Sequence, residues 1–236
     1  MAFGIKLADA TFTHYVSRAV PYLSDLEGFF IFGGNETSSI KNLSPSVGPG
    51  ATGTMIGGGA AGTYGDDYAM LNITYTLDTG ITTDGLDKSI ISVSEFQADE
   101  HSSIATSGGS MQVSRIGGAF RARFPGGVAG GSGDDISLNV PTFQAVTMGD
   151  GTGNHTLWRG IAGTLDSNTA ADASFAAENI EIGPKSGEDD VDGTGDTTFH
   201  KHYLALIYGR ELTSGEMAEL YAWSAEYMAA RGVLVA

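Results

Sequence analysis

The chain has 236 residues, of which 35 are glycine and none is cysteine, and its formal net charge at pH 7 is −16. Glycine therefore makes up about 15% of the chain, roughly twice its ordinary share. A surface this acidic repels phosphate backbones, which argues against nucleic-acid binding. The lack of cysteine excludes a disulfide framework, a thiolate metal site and a cysteine nucleophile.

The N-terminal segment begins MAFGIKLADATFTHY and lacks a basic stretch followed by an apolar run, so it does not predict a signal peptide. The chain contains no run of about 18 apolar residues, so the sequence does not predict membrane insertion. Residues 1–25 include Phe3, Phe12 and Tyr15, and they predict either an N-terminal docking arm or the first strand of the domain. We expect one domain over residues 26–236, because a single β-sandwich can reach about 200–250 residues.

Most of the remaining sequence predicts short strands. Ser89–Phe96 nearly alternates apolar and polar residues, as a half-buried strand does. The other predicted strands are Gly28–Phe32, Met70–Leu77, Ser103–Thr106, Met111–Ile116, Ala119–Phe124, Ile136–Val140, Phe143–Met148, Thr156–Ile161, Asn179–Ile182 and one that contains His200 and His202. Turn compositions lie at Gly126–Asp135, Gly149–Asn154 and Gly183–Asp196, and Ser44–Gly65 predicts a long surface excursion. This spacing is typical of an all-β sandwich or barrel.

The C-terminus predicts a helix over residues 213–231. Thr213 followed by Glu216 three residues later forms a capping-box pattern. An apolar stripe then recurs at spacings of three and four, through Met217, Leu220, Tyr221, Ser224 and Met228. Gly232 stands where a glycine ends a helix. We expect this helix to pack against a sheet.

The segment His200–Met217 combines an apolar strand, a short turn with arginine and the start of this helix. It resembles the closing strand and helix of concanavalin A-like (LamG-like) jelly-roll domains, and Ile182-Gly183 and Gly28-Phe29-Phe30 agree with that family. The matching positions are Tyr208, Arg210, Leu212, Ser214, Glu216 and Leu220-Tyr221. The resemblance implies an all-β fold, a two-sheet antiparallel jelly-roll sandwich with one C-terminal α-helix. It does not settle activity, because lectins, hydrolases and structural modules share this fold.

The opening of the chain, as far as the segment NLSP, is similar to the start of virion structural proteins from tailed bacteriophages. The resemblance implies a non-enzymatic virion component, tail-associated or on the capsid surface, that is assembled in the bacterial host cytoplasm. Its expected partners are other virion proteins, further copies of this chain, with a trimer as one arrangement, and a host surface glycan. The alternative is a free lectin-like carbohydrate-binding module, and a glycoside hydrolase or lyase ranks third.

Catalytic motifs give little support to an enzyme. The glucanases of the concanavalin A-like family carry Glu-x-Asp-x-(x)-Glu on one strand, and Glu178-Asn179-Ile180-Glu181 lacks the central aspartate. On a strand, Glu178 and Glu181 would also face opposite sides. Two G-x-G-x-x-G matches, at 48–53 and 57–62, lack the strand and helix that a dinucleotide site requires. We therefore expect no enzymatic activity.

The densest acidic run lies between residues 187 and 196. Asp189, Asp190, Asp192 and Asp196 resemble half of a calcium loop, and LamG-like domains hold Ca²⁺ at a sandwich rim. The bidentate glutamate that closes an EF-hand loop is missing, so a solvated acidic turn is the favoured alternative. These four residues therefore make Ca²⁺ a candidate cofactor.

Two further candidates involve aromatic rings. His200 and His202 share one face of a predicted strand, which allows a zinc site, although an exposed strand face is the commoner reason for such a pair. Trp158, one of two tryptophans, is the candidate for stacking on a glycan, with a role in the sandwich core as the alternative.

Overall fold

The fold is a β-sandwich with one long C-terminal helix. The computed structural model describes residues 19–48, 50–57, 63–83, 87–99, 101–124, 127–129, 136–149, 154–170, 176–184 and 198–236. Its strands are β1 (Leu26–Ile31), β2 (Thr54–Ile56), β3 (Ala69–Leu71), β4 (Thr76–Thr82), β5 (Lys88–Glu95), β6 (His101–Thr106), β7 (Gln112–Ile116), β8 (Ala119–Phe124), β9 (Gly127–Ala129), β10 (Thr142–Met148), β11 (His155–Ile161), β12 (Thr164–Ala170), β13 (Asn179–Ile182) and β14 (His200–Tyr208). The helices are α1 (Glu36–Ser39) and α2 (Ser214–Ala230).

The strands form two seven-stranded sheets, and every observed strand pairing is antiparallel. One sheet, here called the helix-side sheet, has the order β1-β14-β5-β10-β11-β12, with β3 also paired to β14. The other, called the outer sheet, has the order β2-β4-β13-β6-β7-β8-β9. The predicted two-sheet antiparallel sandwich is confirmed.

The helix-side sheet is covered by apolar side chains on both of its faces. In β5, Ile90 belongs to the core between the two sheets, while Ile91 belongs to a second cluster that includes Trp223 of α2. Successive side chains of a strand point to opposite faces. All eight residues of β5 are buried for this reason. The domain therefore has three layers: outer sheet, helix-side sheet and helix.

Helix α2 begins and ends where the sequence predicts. The Thr213 hydroxyl accepts from the Glu216 backbone N–H at 3.3 Å, and the Glu216 carboxylate accepts from the Thr213 N–H at 2.8 Å. Gly232, just beyond the last turn, has a φ of +84°, which favours glycine. In the part of the chain that the structure describes, no helix is long and apolar enough to cross a bilayer.

Several strand predictions were wrong. Ile136–Val140 is not a strand: Asn139 has a φ of +59° and its N–H donates to the Phe96 carbonyl, so the segment turns. Met70–Leu77 contains two strands, β3 and β4, separated by a turn that the Asn72 side chain closes by accepting from Thr74 N–H at 3.0 Å. Strand β12 was not predicted, and β9 lies within a segment predicted as a turn. Polar and turn-forming residues in paired strands account for both omissions.

His200 and His202 do not lie on an exposed face, contrary to the commoner expectation. Both are fully buried, and the His200 ring stacks on His101 of the opposite sheet with centroids 3.3 Å apart. His202 meets the edge of the Phe32 ring at 6.2 Å. Within the described ranges there is no group of three or more side chains that could hold a metal ion. Desolvation by burial, reinforced by neighbouring histidines, lowers the pKa of His101 and brings that of His202 to about 3.

Acid should destabilise the sandwich through these histidines. His202 ordinarily titrates near 6.5, so below that pH unfolding takes up a proton that the folded state does not bind. The contribution of neutral His202 to the free energy of unfolding is complete above pH 6.5. It is lost as the pH falls toward 3, at about 1.4 kcal/mol for each pH unit. We expect urea unfolding between about pH 7.5 and 4.5 to show a shallower pH slope in His202→Leu than in wild type.

The matched control is Ile182→Val, which changes the same core without removing a titrating group. Its cost, about 1 kcal/mol, should be the same throughout this pH range. A His202→Leu slope equal to that of the wild type would contradict the prediction.

Candidate functional site

A groove with a volume of about 500 Å³ lies between the start of α2 and the last three strands of the helix-side sheet. Most residues that line it carry a hydroxyl group. The lining residues are Thr147, Thr156, Trp158, Ser167, Thr169, Glu211, Leu212, Thr213 and Ser214. The sheet thus forms the floor of the groove, and the turn that leads into the helix forms one wall.

The register of three strands places the floor residues in two rows. Thr147, Thr156 and Thr169 are directly opposite one another across β10, β11 and β12, and Trp158 pairs with Ser167 in the next row on the same face. The Thr156 and Thr169 hydroxyls are 2.8 Å apart and share a hydrogen bond. Cross-strand neighbours on one face are the closest side chains in a sheet. The rows therefore form a preformed polar surface.

Trp158 lies at the base of this groove. Only 8% of the residue is exposed, and it belongs to the cluster under the helix. Its indole N–H donates to the Thr147 hydroxyl at 3.1 Å, which fixes the ring. The predicted glycan residue is thus part of the floor, where one edge of a rigid apolar ring meets a row of hydroxyls.

The wall of the groove is held by the turn before α2. The Ser89 hydroxyl of β5 accepts from the Leu212 N–H and donates to the Arg210 carbonyl, both at 2.9 Å. The Arg210 guanidinium donates to Asp25 at 2.8 Å and to both carboxylate oxygens of Glu216 at 2.9 and 2.6 Å. The hydrogen bonds from Arg210 and Thr213 lower the pKa of Glu216 to about 2. This network keeps the wall in a fixed position.

A glycine of β11 allows the helix to lie close to the sheet. A Cβ atom at Gly160 would come within 2.5 Å of a Tyr221 ring carbon and 2.6 Å of the Ala236 carbonyl oxygen. The Ala236 N–H in turn donates to the Pro141 carbonyl at 2.9 Å. The backbone at Gly160 therefore sets the distance between the two surfaces that bound the groove.

The remaining sequence candidates lie elsewhere. The calcium candidates Asp189, Asp190, Asp192 and Asp196 lie outside the described residues. The Glu178 carboxylate accepts from the Ser110 hydroxyl and N–H at 2.7 and 3.1 Å, and hydrogen bonds from Thr106 and Ser110 lower its pKa although burial opposes them. Glu181 is fully buried within β13. The groove does not include either glutamate.

Sequence reasoning found one floor residue, Trp158, and missed the hydroxyl rows. The available signal was hydroxyl residues at alternate positions, as in Ser167 and Thr169, which places both side chains on one face of a strand. Because β12 was not predicted as a strand, this alternation could not be assigned to one face of a sheet. The helix wall could not be predicted, since it depends on where α2 crosses the sheet.

No protein-family profile and no curated protein sequence matches the chain. Three solved structures of similar fold are a Trypanosoma rangeli sialidase, the binding domain of Paraclostridial Mosquitocidal Protein 1 and the botulinum neurotoxin serotype D binding domain. Their TM-scores are 0.56, 0.52 and 0.57, and their identities are 13%, 16% and 10%. The alignments cover 86%, 84% and 85% of this chain.

The same alignments cover 33% of the sialidase chain and 52% of each toxin chain. This chain therefore spans about a third of the length of the sialidase and about half of the length of the toxin domains. At this level of identity the comparisons establish a shared β-sandwich fold. That fold agrees with the concanavalin A-like architecture that the sequence indicates.

Replacing Gly160 with alanine should separate the helix from the sheet. The added Cβ would overlap backbone and a packed ring, so we expect the free energy of unfolding to fall by about 1–3 kcal/mol in urea titrations. Gly215→Ala is the matched control, because a Cβ there meets nothing within 4 Å. Alanine in the helix should leave stability unchanged or raise it by up to about 1 kcal/mol. Equal effects of the two substitutions would contradict the packing argument.

Proposed function

We propose that this β-sandwich is a non-enzymatic carbohydrate-binding module and that the groove beside α2 is its ligand site. The observation that carries the proposal is the pair of cross-strand rows, in which Thr147, Thr156 and Thr169 lie next to Trp158 and Ser167. These side chains come from three strands and meet in one concave surface. The floor of the site is thus built from strands, and the turn before α2 supplies its wall.

The chemistry of the groove fits a sugar. Each hydroxyl can both donate and accept a hydrogen bond, which matches the hydroxyl groups of a pyranose ring. The indole of Trp158 offers apolar contact to the C–H groups between those hydroxyls. A volume of about 500 Å³ falls within the range of about 300–1,000 Å³ that small-ligand sites occupy.

The comparisons add support of a general kind. Two of the similar structures are named as binding domains, and the T. rangeli sialidase, about a third of whose chain aligns with this fold, was solved in complex with 2,3-difluorosialic acid as a covalent intermediate. The fold therefore occurs in proteins that bind other molecules and in a protein that acts on a sugar. The fold alone does not assign a function, and the groove supplies the argument for this chain.

A binding role is favoured over hydrolysis. Retaining and inverting glycosidases in general place two carboxyl groups about 5–9 Å apart across the bond they cleave. Among the described residues that line the groove, Glu211 alone carries a carboxylate. The lining therefore suits recognition of a sugar and lacks the second acid of that mechanism.

The role on a bacteriophage particle stays a prediction, as do the virion partners and location. It depends on residues 2–25 as a docking arm, and residues 19–25 are the part that the structure describes. In that part, Val20 and Tyr22 pack against the cluster under α2, and the Tyr22 hydroxyl donates to Glu219 at 2.7 Å. Residues 19–25 are thus in contact with the domain.

Binding can be followed through the intrinsic fluorescence of Trp158. The other tryptophan, Trp223, belongs to α2, is 1% exposed and packs in the cluster between the helix and the sheet, so a ligand in the groove should change the Trp158 signal alone. Glycans that bind in an array screen would be titrated into wild type and into Trp158→Phe. We expect saturable quenching or a spectral shift in wild type and its loss in the variant.

The hydroxyl rows are tested by Thr156→Val/Thr169→Val, which keeps shape and removes two hydroxyl groups. We expect affinity to fall about 5–150-fold, since each of the two lost hydrogen bonds contributes about 0.5–1.5 kcal/mol. Thr54→Val is the matched control, on an exposed strand position of the outer sheet. A glycan array without hits, or hits that the double variant binds as tightly as wild type, would contradict the proposal.

A further inference from the structure

The charge around the groove points to a particular class of sugar. Glu211 is the only lining residue with a formal charge among the residues that the structure describes, and its charge is negative. Building on the proposed function, we infer that the groove takes neutral or amino-substituted sugars and rejects sugars that carry a carboxylate, sulfate or phosphate group.

The cation next to Glu211 does not offset this charge. The Arg210 guanidinium donates to Asp25 at 2.8 Å and forms a two-point hydrogen bond with Glu216 at 2.9 and 2.6 Å. A bidentate arginine–carboxylate pair fixes the orientation of the guanidinium. With Glu211 included, one cation stands against three carboxylates at this wall. The local field therefore repels an anionic ligand.

The N-terminus of α2, which also lines the groove, already holds an anion. Backbone N–H groups at a helix start attract negative charge. Here the Glu216 carboxylate accepts from the Thr213 N–H at 2.8 Å and from the Thr213 hydroxyl at 3.0 Å. The protein's own carboxylate therefore occupies part of the place that a sugar carboxylate would use.

Hydrogen-bond capacity on the floor leads to the same class of ligand. The Thr147 hydroxyl accepts from the Trp158 indole and directs its own proton toward the Thr156 carbonyl at 3.5 Å. In the shared bond between Thr156 and Thr169, one of the two protons is used, while both oxygens keep free acceptor capacity. The floor offers more acceptors than donors. Sugar hydroxyl and ammonium groups can donate to it, whereas a carboxylate can only accept.

The test uses matched glycan pairs that differ in one charged group. Neutral glycans that bind in the array are compared with the same glycans capped by sialic acid or substituted with sulfate, and with deacetylated amino forms where these exist. Affinities are measured by Trp158 fluorescence and calorimetry in low salt. We expect the anionic member of each pair to bind about tenfold more weakly and the amino form at least as tightly as the neutral one.

Charge reversal then identifies the residue responsible. Glu211→Lys should reduce or reverse the difference in affinity between the neutral and anionic glycans of each pair. Glu211→Gln should reduce this difference by a smaller amount. Asp66→Lys is the matched control, because Asp66 is exposed, lies outside the groove lining and changes the net charge by the same amount. The control should leave the difference as in wild type.

The possible results separate the two proposals. Anionic glycans that bind wild type as tightly as their neutral partners, with affinity that depends on Thr156 and Thr169, would overturn the ligand class and leave the carbohydrate site standing. The inferred ligand class would also be overturned if Asp66→Lys changed the affinity difference between neutral and anionic glycans as much as Glu211→Lys does. The net charge of the protein would then be the cause. The lack of any groove-dependent glycan binding would overturn the proposed function itself.

Discussion

The packing of α2 on the helix-side sheet is the interaction on which the rest of the structure depends. Because that sheet is covered on both faces, its central strands must be apolar at consecutive positions, as in Ile90-Ile91 of β5 and Leu206-Ile207 of β14. The close approach requires a residue without a side chain at Gly160. Met217 and Trp223 of α2 are buried in the contact between the helix and the sheet. The layer order of the domain follows from this one contact.

The groove follows from where the helix starts. Helix α2 begins at Ser214, so the ends of β10, β11 and β12 beyond this point have no helix above them. On the same face, Ala145 belongs to the cluster that the helix covers, whereas Thr147, Thr156, Ser167 and Thr169 line the groove. A hydroxyl on a strand packs well and remains satisfied in contact with water. The polar floor of the groove therefore begins where the apolar contact between α2 and the sheet ends.

Local patterns predicted what local physics decides. The capping box of Thr213 and Glu216 fixed the start of α2, and Ala119–Phe124 and Asn179–Ile182 were predicted with the bounds that they have. The failures arise where long-range contacts decide. Ile136–Val140 has the composition of a strand, yet the Asn139 N–H donates to the carbonyl of Phe96, a residue distant in the sequence. The groove joins three strands to a helix from a distant part of the sequence, so no window of the sequence contains it.

Burial of histidine, which the sequence did not reveal, connects stability to the charge of the groove. Burial lowers the pKa of His101, of His155 to about 4 and of His202 to about 3, so each resists protonation while the sandwich is folded. Glu216 at the groove wall has a pKa of about 2 and stays ionised throughout that range. As the pH falls, unfolding first becomes more favourable because it lets the buried histidines take up protons. The Glu216 carboxylate is neutralised only at lower pH. The charge of Glu216 therefore persists over the pH range in which the buried histidines destabilise the fold.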